Sequence, residues 1–436
     1  MFNNFKEIIF QKLPAEGIKK YFFNTSWLLL EKLLRIISSV LVGVWVARYL
    51  GPEDYGFFNY SQSLVLIFGT FATLGMDRVI TKHLIENPED KNRYLGTAFI
   101  IKLVSSFSVV LILYIFLLLS NKDSFEILFV FIISSSLIFQ SFNVIDLFFQ
   151  STIQNKYILI ANIVSLVTSS FVKFWLVVSN APLISFSFTI ALDTFILVLT
   201  FLYLYEKSGN RVKEWEFDWR IGKGLIVQSW PLILAAALNT LYMRIDQVMI
   251  QSISGNREVG LYSSAIKLSE VWYSMGIVIC NSVFPSIINS KKVSKDFYYK
   301  RLSFLFILLN GLSFVFALGM LFSSHYLIEL LFGVDYMDAA VILRIHAFSS
   351  IFVFQGIASG RWLIAEGWNK YDLYRNLIGV AINVSLNFYF IPIYGGIGAA
   401  FTSLASYFVA FFLIDLISSR SRRLFWIKLK SFLFIK

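Results

Sequence analysis

The chain of 436 residues contains very few of the side chains that build catalytic or metal centres. Its single cysteine, Cys280, excludes a disulfide within the chain and a thiolate metal cluster. The three histidines, His83, His325 and His346, are scattered, which argues against a zinc site. The sequence also lacks a P-loop, a paired-glycine nucleotide fingerprint and an HExxH motif. These absences predict a protein that is not an enzyme and needs no cofactor.

Charge is also scarce. Charged residues make up 15% of the chain, whereas soluble domains carry roughly 25%. Hydrophobic residues make up 57%, and the mean hydropathy is +0.70. A soluble core has no use for so much apolar surface, so the composition indicates lipid as the solvent. The expected fold class is an all-α polytopic membrane protein.

Twelve apolar runs are long enough to cross a bilayer as helices, which takes about 20 residues each. The segment 1–21 is too polar for the core of a signal peptide, so it is interpreted as an interfacial segment and the first apolar run as a retained span. The predicted spans are 24–48, 58–80, 96–119, 126–150, 157–178, 183–205, 224–252, 259–288, 302–323, 338–362, 373–393 and 396–417.

The cations predict the orientation. The formal charge of +11 does not indicate nucleic acid, because the cations lie in short segments between the apolar runs. One side of the predicted topology has little more than Arg48, Lys122 and Arg257. Cytoplasmic loops are the ones enriched in Lys and Arg, so both termini are predicted to be cytoplasmic. The predicted cytoplasmic cations are Lys6, Lys12, Lys19, Lys20, Arg78, Lys82, Lys91, Arg93, Lys156, Lys207, Arg211, Lys213, Arg220, Lys223, Lys291, Lys292, Lys295, Lys300, Arg301, Lys370, Arg375, Arg420, Arg422, Arg423, Lys428, Lys430 and Lys436.

The chain repeats itself with an offset close to half its length. The segment Gly51–Gly56 is echoed by Gly255–Gly260, and Asn155-Lys156-Tyr157 is echoed by Asn369-Lys370-Tyr371. Six spans in each repeat give both halves the same orientation, related by an axis along the membrane normal. The predicted domains are an N-lobe at 22–205, a cytoplasmic linker at 206–223, a C-lobe at 224–419 and a basic amphipathic tail at 420–436. The tail is expected to lie on anionic lipid.

Ionisable residues inside spans are costly in hydrocarbon and usually face a cavity or a partner. In span 1, Glu31 and Arg35 are spaced to pair on one face, and Lys32 leaves a net positive charge there. An anionic ligand would complete this group. A self-neutralised structural pair is the alternative.

Spans 7 and 8 carry Arg244, Asp246, Lys267 and Glu270. Arg244 and Asp246 do not share a helix face well, so one of them is expected to reach another helix, and an Asp246–Lys267 contact is expected. Neither these charges nor those of span 1 recur at the equivalent positions of the other repeat. This favours a functional role for these charges. The alternative is that each repeat has a structural ion pair of its own.

Two further acids lie in predicted spans, Asp146 in span 4 and Asp193 in span 6. A carboxyl that stays neutral in the membrane suits proton coupling, whereas a hydrogen bond to a nearby Ser, Thr or Asn is the structural alternative. The remaining intramembrane cations and one histidine are expected to snorkel or to contact loops, and they are Lys102, Lys173, Arg344, His346 and Arg361. Gly43 and Pro231 are candidate bend points.

Three segments resemble signatures of a known family. The segment Trp45–Gly56 resembles the sequence that follows the first helix of polysaccharide-biosynthesis flippases. The segments Arg244–Ile250 and Glu258–Glu270 resemble that family's mid-chain signature. These are the O-antigen or capsule repeat-unit flippases (Wzx type) of the MOP superfamily, which also holds MATE exporters and the lipid II flippase.

This resemblance implies a MATE-like, V-shaped pair of six-helix bundles in a bacterial inner membrane. The implied cargo is an undecaprenyl-pyrophosphate-linked oligosaccharide, moved from the cytoplasmic to the periplasmic leaflet by alternating access. Helices 1, 2, 7 and 8 line the cavity of the superfamily, so the implied substrate-binding cations are Lys32, Arg35, Arg244 and Lys267. The carboxylates available to couple H+ or Na+ are Glu31, Asp146, Asp193, Asp246 and Glu270. Membrane lipid, the polysaccharide polymerase and the chain-length machinery are the other implied partners, and nucleic acid is not one.

Two other functions stay open at this stage. A MATE-like exporter of small, often cationic compounds would favour a net acidic cavity, and the intramembrane charges here lean cationic. A glycosyl-handling enzyme or a non-transporting scaffold is the third hypothesis. The short predicted outer loops and the lack of a catalytic motif argue against the enzyme.

Overall fold

The computed structural model describes the backbone from Ala15 to Leu433, and side chains from Leu34 onward except those of residues 36, 37, 39 and 369. Helices account for almost all of this part of the chain, and it contains no strand. The helices are α1 Ala15–Thr73, α2 Asp77–Glu86, α3 Lys91–Leu119, α4 Ser124–Gln140, α5 Val144–Ser151, α6 Asn155–Val178, α7 Leu183–Lys207, α8 Trp219–Ser254, α9 Asn256–Ser290, α10 Lys295–Phe332, α11 Ala339–Ala365, α12 Asn369–Phe411 and α13 Arg422–Phe432.

Ten segments of the described chain are long and apolar enough to cross a membrane. Two of them, Val40–Glu86 and Lys370–Leu416, are 47 residues long and contain a glycine at which the helix breaks. The all-α membrane fold predicted from composition is confirmed. The count of twelve spans and the cytoplasmic placement of both termini stay predictions.

The break in α1 has a local cause. Gly51 adopts φ 71° and ψ 172°, a conformation that residues with a Cβ rarely adopt. Pro52 follows, and proline is well tolerated at the first position of a helix because its missing N–H has no intrahelical acceptor there. Gly255, which precedes α9, has nearly the same angles, φ 87° and ψ 179°. The backbone thus agrees with the sequence repeat that aligns these two glycines.

The first compact unit comprises the described residues up to Gly43 together with Phe68–Ala236. Its best-buried cluster includes Ile80, Leu95, Phe149 and Tyr205. The cluster joins α2 and α3 to α5 and α7, so it holds the polar ends of these helices in fixed positions.

The second compact unit comprises Val44–Ile67 and Ala237–Lys436. Its core includes Leu305, Phe354 and Trp362 from α10 and α11. Residues 44–67 come from the first sequence repeat, yet they cluster with the second unit. The lobe limits proposed from the sequence, 22–205 and 224–419, stay predictions.

Within the second unit, the two repeats meet at equivalent residues. A Cβ added to Gly56 would overlap the carbonyl oxygen of Asn256, and one added to Gly260 would overlap that of Pro52. Both positions therefore need glycine for close approach of the two backbones.

The tail is more deeply embedded than the sequence suggested. One face of α13 is buried, including Leu424, Lys428 and Ser431. Lys428 donates to Asp415 over 2.7 Å, and Asn310 of α10 donates to Ser431 over 2.7 Å. The opposite face, including Trp426, is exposed. The helix is amphipathic as predicted, but its apolar face packs on protein and not only on lipid.

The predicted linker is a packed segment in the structure. Residues 208–218 connect α7 to α8, and the indole N–H of Trp215 donates to the hydroxyl of Tyr205 over 3.1 Å. The backbone N–H of Arg220 donates to Asp218 over 2.7 Å, which caps α8 and lowers the pKa of the Asp218 carboxyl. The start of α8 is therefore fixed within the first unit.

Candidate functional site

Asp246 lies on α8 in a buried cage of neutral donors. Its Oδ2 accepts the Tyr262 hydroxyl over 2.6 Å and the Ser403 hydroxyl over 2.5 Å. Its Oδ1 accepts the side-chain amide of Asn387 over 2.7 Å. The Asp246–Lys267 contact expected from the sequence is wrong, because no cation of the described chain pairs with this carboxylate. Hydrogen bonds from three neutral groups hold it instead.

A second layer of polar groups surrounds the cage. Asn387 also donates to the side-chain oxygen of Asn383 over 3.2 Å and accepts the hydroxyl of Thr402. All three of these side chains are buried. Among the described residues, no three His, Cys, Asp or Glu side chains come together as a metal site. The cluster instead gathers one carboxylate with amide and hydroxyl oxygens, the ligands that hard cations prefer.

The cations of the same unit differ in their partners. Arg244 donates to Glu270 over 3.4 Å, and about a quarter of each side chain is exposed. The expectation that a residue of the Arg244–Asp246 pair reaches another helix is confirmed, since both contact α9. Lys267 is partly buried on α9, and it forms neither a hydrogen bond nor an ion pair with any described residue. Lys267 is thus a partly buried cation whose charge the described part of the protein does not neutralise.

Of the three charged residues predicted for span 1, Arg35 is the one whose side chain the structure describes, and it lies in the first unit. Its guanidinium donates to the side-chain oxygen of Asn162 on α6, and the side chain is exposed. The side chains of Glu31 and Lys32 lie outside the described residues. The predicted Glu31–Arg35 pair therefore stays a prediction.

The two remaining predicted acids also lie in the first unit. Asp193 on α7 accepts the hydroxyl of Ser165 on α6, which is the structural alternative raised for it. Asp146 on α5 accepts from Gln150 over 3.2 Å and lines a cleft of about 600 Å3 with Arg78 and Lys82. Asp246 and Glu270, by contrast, belong to the second unit.

Sequence reasoning missed the neutral members of the Asp246 cage. Asn387 and Ser403 are common residue types far along the chain from Asp246, so only their shared helix, α12, ties them together. It also underestimated Lys102, which is 2% exposed and donates to Asp77 over 2.6 Å. Asp77 lies near the end of the second predicted span, 58–80, and a charged residue inside a span was the available signal. Arg361 donates to Asn281 over 2.5 Å and does not simply snorkel.

Comparison with solved structures identifies the fold of the chain. It superposes on the lipid II flippase MurJ in an inward closed conformation with a TM-score of 0.72 at 16% identity, covering 94% of this chain and 91% of MurJ. It also superposes on an inward-facing multidrug resistance MATE family transporter of the MOP superfamily, with a TM-score of 0.66 at 11% identity and coverage of 90% and 95%. At these identities the likeness shows the fold, which is the MATE-like fold expected from the resemblance.

Comparison of sequences identifies the family. The capsular polysaccharide biosynthesis protein CapF of Staphylococcus aureus is 23% identical over 404 residues, which cover 89% of this chain and 96% of CapF. The profile of the family described as polysaccharide biosynthesis protein matches residues 22–291, more than half of the chain. The match contains all three signature segments noted in the sequence. The chain therefore belongs to the polysaccharide biosynthesis protein family.

Proposed function

We propose that this protein is a flippase that moves an undecaprenyl-pyrophosphate-linked oligosaccharide, an O-antigen or capsular repeat unit, from the cytoplasmic to the periplasmic leaflet of a bacterial inner membrane. The observation that carries the proposal is Lys267, a cation within a candidate membrane span that no described residue neutralises. A partly buried cation without a counter-ion is costly in a membrane, and an anionic ligand would offset that cost.

Pyrophosphate suits these cations. It presents several anionic oxygens, and hydrogen bonds between ionised partners are about twice as strong as neutral ones. Lys267 would act as a point charge, and the planar guanidinium of Arg244 would donate to two phosphate oxygens side by side. The Arg244–Glu270 contact is long, at 3.4 Å, and partly exposed, so it is weak. Arg244 can therefore exchange Glu270 for the substrate. In span 1, Arg35 and Lys32 are proposed to bind the pyrophosphate in the same way.

The coupling ion is assigned to the Asp246 cage. Asp246, Asn383, Asn387, Thr402 and Ser403 supply oxygen atoms from two helices, α8 and α12, and all five are buried. A proton would neutralise the carboxylate directly. A sodium ion would instead gather the carboxylate with the amide and hydroxyl oxygens. Either ion would change the charge of a group that ties α8 to α12, so binding would bias the protein between two conformations.

A translocation assay tests the function. The purified protein is reconstituted into vesicles that carry a fluorescent undecaprenyl-pyrophosphate oligosaccharide in both leaflets. Quencher added outside then reports how fast lipid from the inner leaflet becomes accessible. Wild-type protein is expected to accelerate this exchange, and an imposed H+ or Na+ gradient is expected to drive it further. Vesicles that instead exchange small organic cations, with no effect on the lipid, would assign the protein to the MATE-like exporters.

A further inference from the structure

A groove of about 860 Å3 lies in the second unit, away from Asp246 and Lys267. The last turns of α9, the first turns of α10 and the tail helix α13 form its walls. We name it the tail groove. We infer that the tail groove is a binding site for an anionic phospholipid, with the headgroup phosphate on its cations and an acyl chain along its apolar wall.

The charge of the tail groove has one sign. Four cations line it, Lys300 and Arg301 from α10 and Arg423 and Lys430 from α13, and no acidic side chain of the described residues does so. Lys300 and Lys430 are exposed and have no ion-pair partner among the described residues. The nearest acid, Asp296, is fully exposed and lies 4.0 Å from Arg423, a separation at which an exposed pair contributes little. The groove is therefore complementary to an anion.

Aromatic rings hold two of these cations in place. The guanidinium of Arg423 lies 3.6 Å from the centre of the Tyr299 ring, and that of Arg301 lies 4.6 Å from the centre of Phe297. Arg301 also donates to the Ser286 hydroxyl over 2.8 Å. Arg423, stacked on its ring, keeps an N–H edge available for phosphate oxygens. Less side-chain freedom is then lost when the phosphate binds.

The rest of the wall is apolar. The groove is lined by Val283 and Ile287 of α9, Phe304 of α10 and Ile427 of α13. Phe304 is exposed and lies in a candidate membrane span, so it can contact an acyl chain. A basic rim joined to an apolar wall matches a phospholipid and not a free phosphate. Trp426 also lines the groove, and tryptophan is a residue that favours the membrane interface. By the positive-inside prediction, this site faces the cytoplasmic leaflet, whose surface is negative.

The lipid would have a structural effect. It would bridge α10 and α13, which otherwise meet through their buried faces, for example at Asn310 and Ser431. The tail groove is formed partly by the tail itself, so a lipid bound there would strengthen the docking of α13.

Native mass spectrometry of the full chain in detergent tests the inference, with phosphatidylglycerol and phosphatidylcholine as probes. The protein is expected to retain phosphatidylglycerol and to release phosphatidylcholine. The Arg423→Gln/Lys430→Gln variant should bind phosphatidylglycerol roughly 25-fold more weakly, at about fivefold per cation lost near a membrane surface. Lys292→Gln, an exposed cation outside the groove, is the matched control and should bind normally.

Equal retention of both lipids, or unchanged binding by the double variant, would overturn the inference. Preferential retention of undecaprenyl pyrophosphate would assign the groove to the transported lipid instead. If the double variant does not fold, Lys300→Gln, on α10 and outside the tail, provides the same comparison. The readout is lipid retention and requires no transport, so it stands or fails separately from the flippase assay.

Discussion

Gly56 and Gly260 occupy equivalent positions of the two sequence repeats, and each lies against the backbone of the other repeat. The carbonyl oxygen of Asn256 fills the space of a Cβ on Gly56, and that of Pro52 fills the space of a Cβ on Gly260. Pro52 and Asn256 are themselves equivalent. The contact is thus isologous, made twice by the same surface, as in a symmetric dimer. This symmetry explains why both repeats retain glycine at this position.

Gly56→Ala is expected to destabilise the protein by roughly 1–3 kcal/mol, because backbone atoms that meet the added methyl cannot move aside as a flexible side chain would. Thermal unfolding in detergent measures this effect. Gly319→Ala is the matched control, since nothing lies within 4 Å of a Cβ on Gly319 and the residue is inside α10. Equal unfolding temperatures for the two variants would contradict the close approach.

Lys267→Ala is expected to weaken substrate binding by about 1.5–3 kcal/mol, the contribution of a hydrogen bond to a charged group. Export of the surface polysaccharide in cells and lipid exchange in vesicles both measure it. Lys267→Arg retains the charge and should recover part of the activity. Lys292→Ala removes an exposed loop cation and should leave activity intact. Normal export by Lys267→Ala would remove Lys267 from the substrate path.

Asp246→Asn keeps the size of the side chain and removes its charge. Transport by this variant is expected to lose its dependence on the ion gradient, because the amide neither titrates nor carries a formal charge for Na+. The Asp193→Asn variant is the control, since the Ser165 hydroxyl already satisfies that carboxyl in the first unit. Gradient-driven exchange is measured for H+ and Na+ separately. If Asp193→Asn loses coupling and Asp246→Asn retains it, the assignment of the coupling site is wrong.

Lys428→Met is expected to undock the tail. It leaves Asp415 buried without its cation, which costs about 3–5 kcal/mol for a broken buried pair. Proteolysis of the tail and denaturant unfolding measure the loss. Lys292→Met removes an exposed cation outside both the tail helix and the tail groove, and it should leave docking unchanged. The double variant Lys428→Met/Asp415→Leu should recover most of the stability, and a double variant as unstable as Lys428→Met would contradict the pair.

The same lysine predicts a pH dependence. Burial lowers the pKa of the Lys428 ammonium from 10.5 to about 8, in opposition to the charge of Asp415, which raises it. Between these values the unfolded chain binds more protons at this site than the folded protein does. The free energy of unfolding should therefore rise with pH from about 8 to 10.5. The rise should be missing from Lys428→Met in the same titration, and a wild-type curve that falls over this interval would contradict the shift.

The helical fold was predictable because lipid leaves the backbone no other way to satisfy its hydrogen bonds. Apolar runs located most helices, and the repeat paired Gly51 with Gly255, both of which have positive φ angles in the structure. The ends of the helices were harder to predict. The second predicted span ran through Gly75, where the helix stops, because an apolar sequence continues across the turn.

The candidate site was less predictable than the fold. Charges stand out against an apolar sequence, so Asp246 and Lys267 could be singled out. Their partners could not, because the hydrogen bonds to Asp246 come from Asn387 and Ser403, neutral residues of a type found throughout the chain. Spacing along one helix also says nothing about contacts between helices, and for this reason the expected Asp246–Lys267 contact failed.

The second unit draws residues 44–67 from the first repeat, and the first unit draws residues up to Ala236, beyond the segment that joins α7 to α8. A protease cut between Lys207 and Trp219 would therefore not release two self-contained halves. Each fragment would keep a piece of both units, and neither could complete its fold without the other. The two fragments should co-purify after cleavage and assemble when expressed from separate genes, whereas either one alone should be degraded.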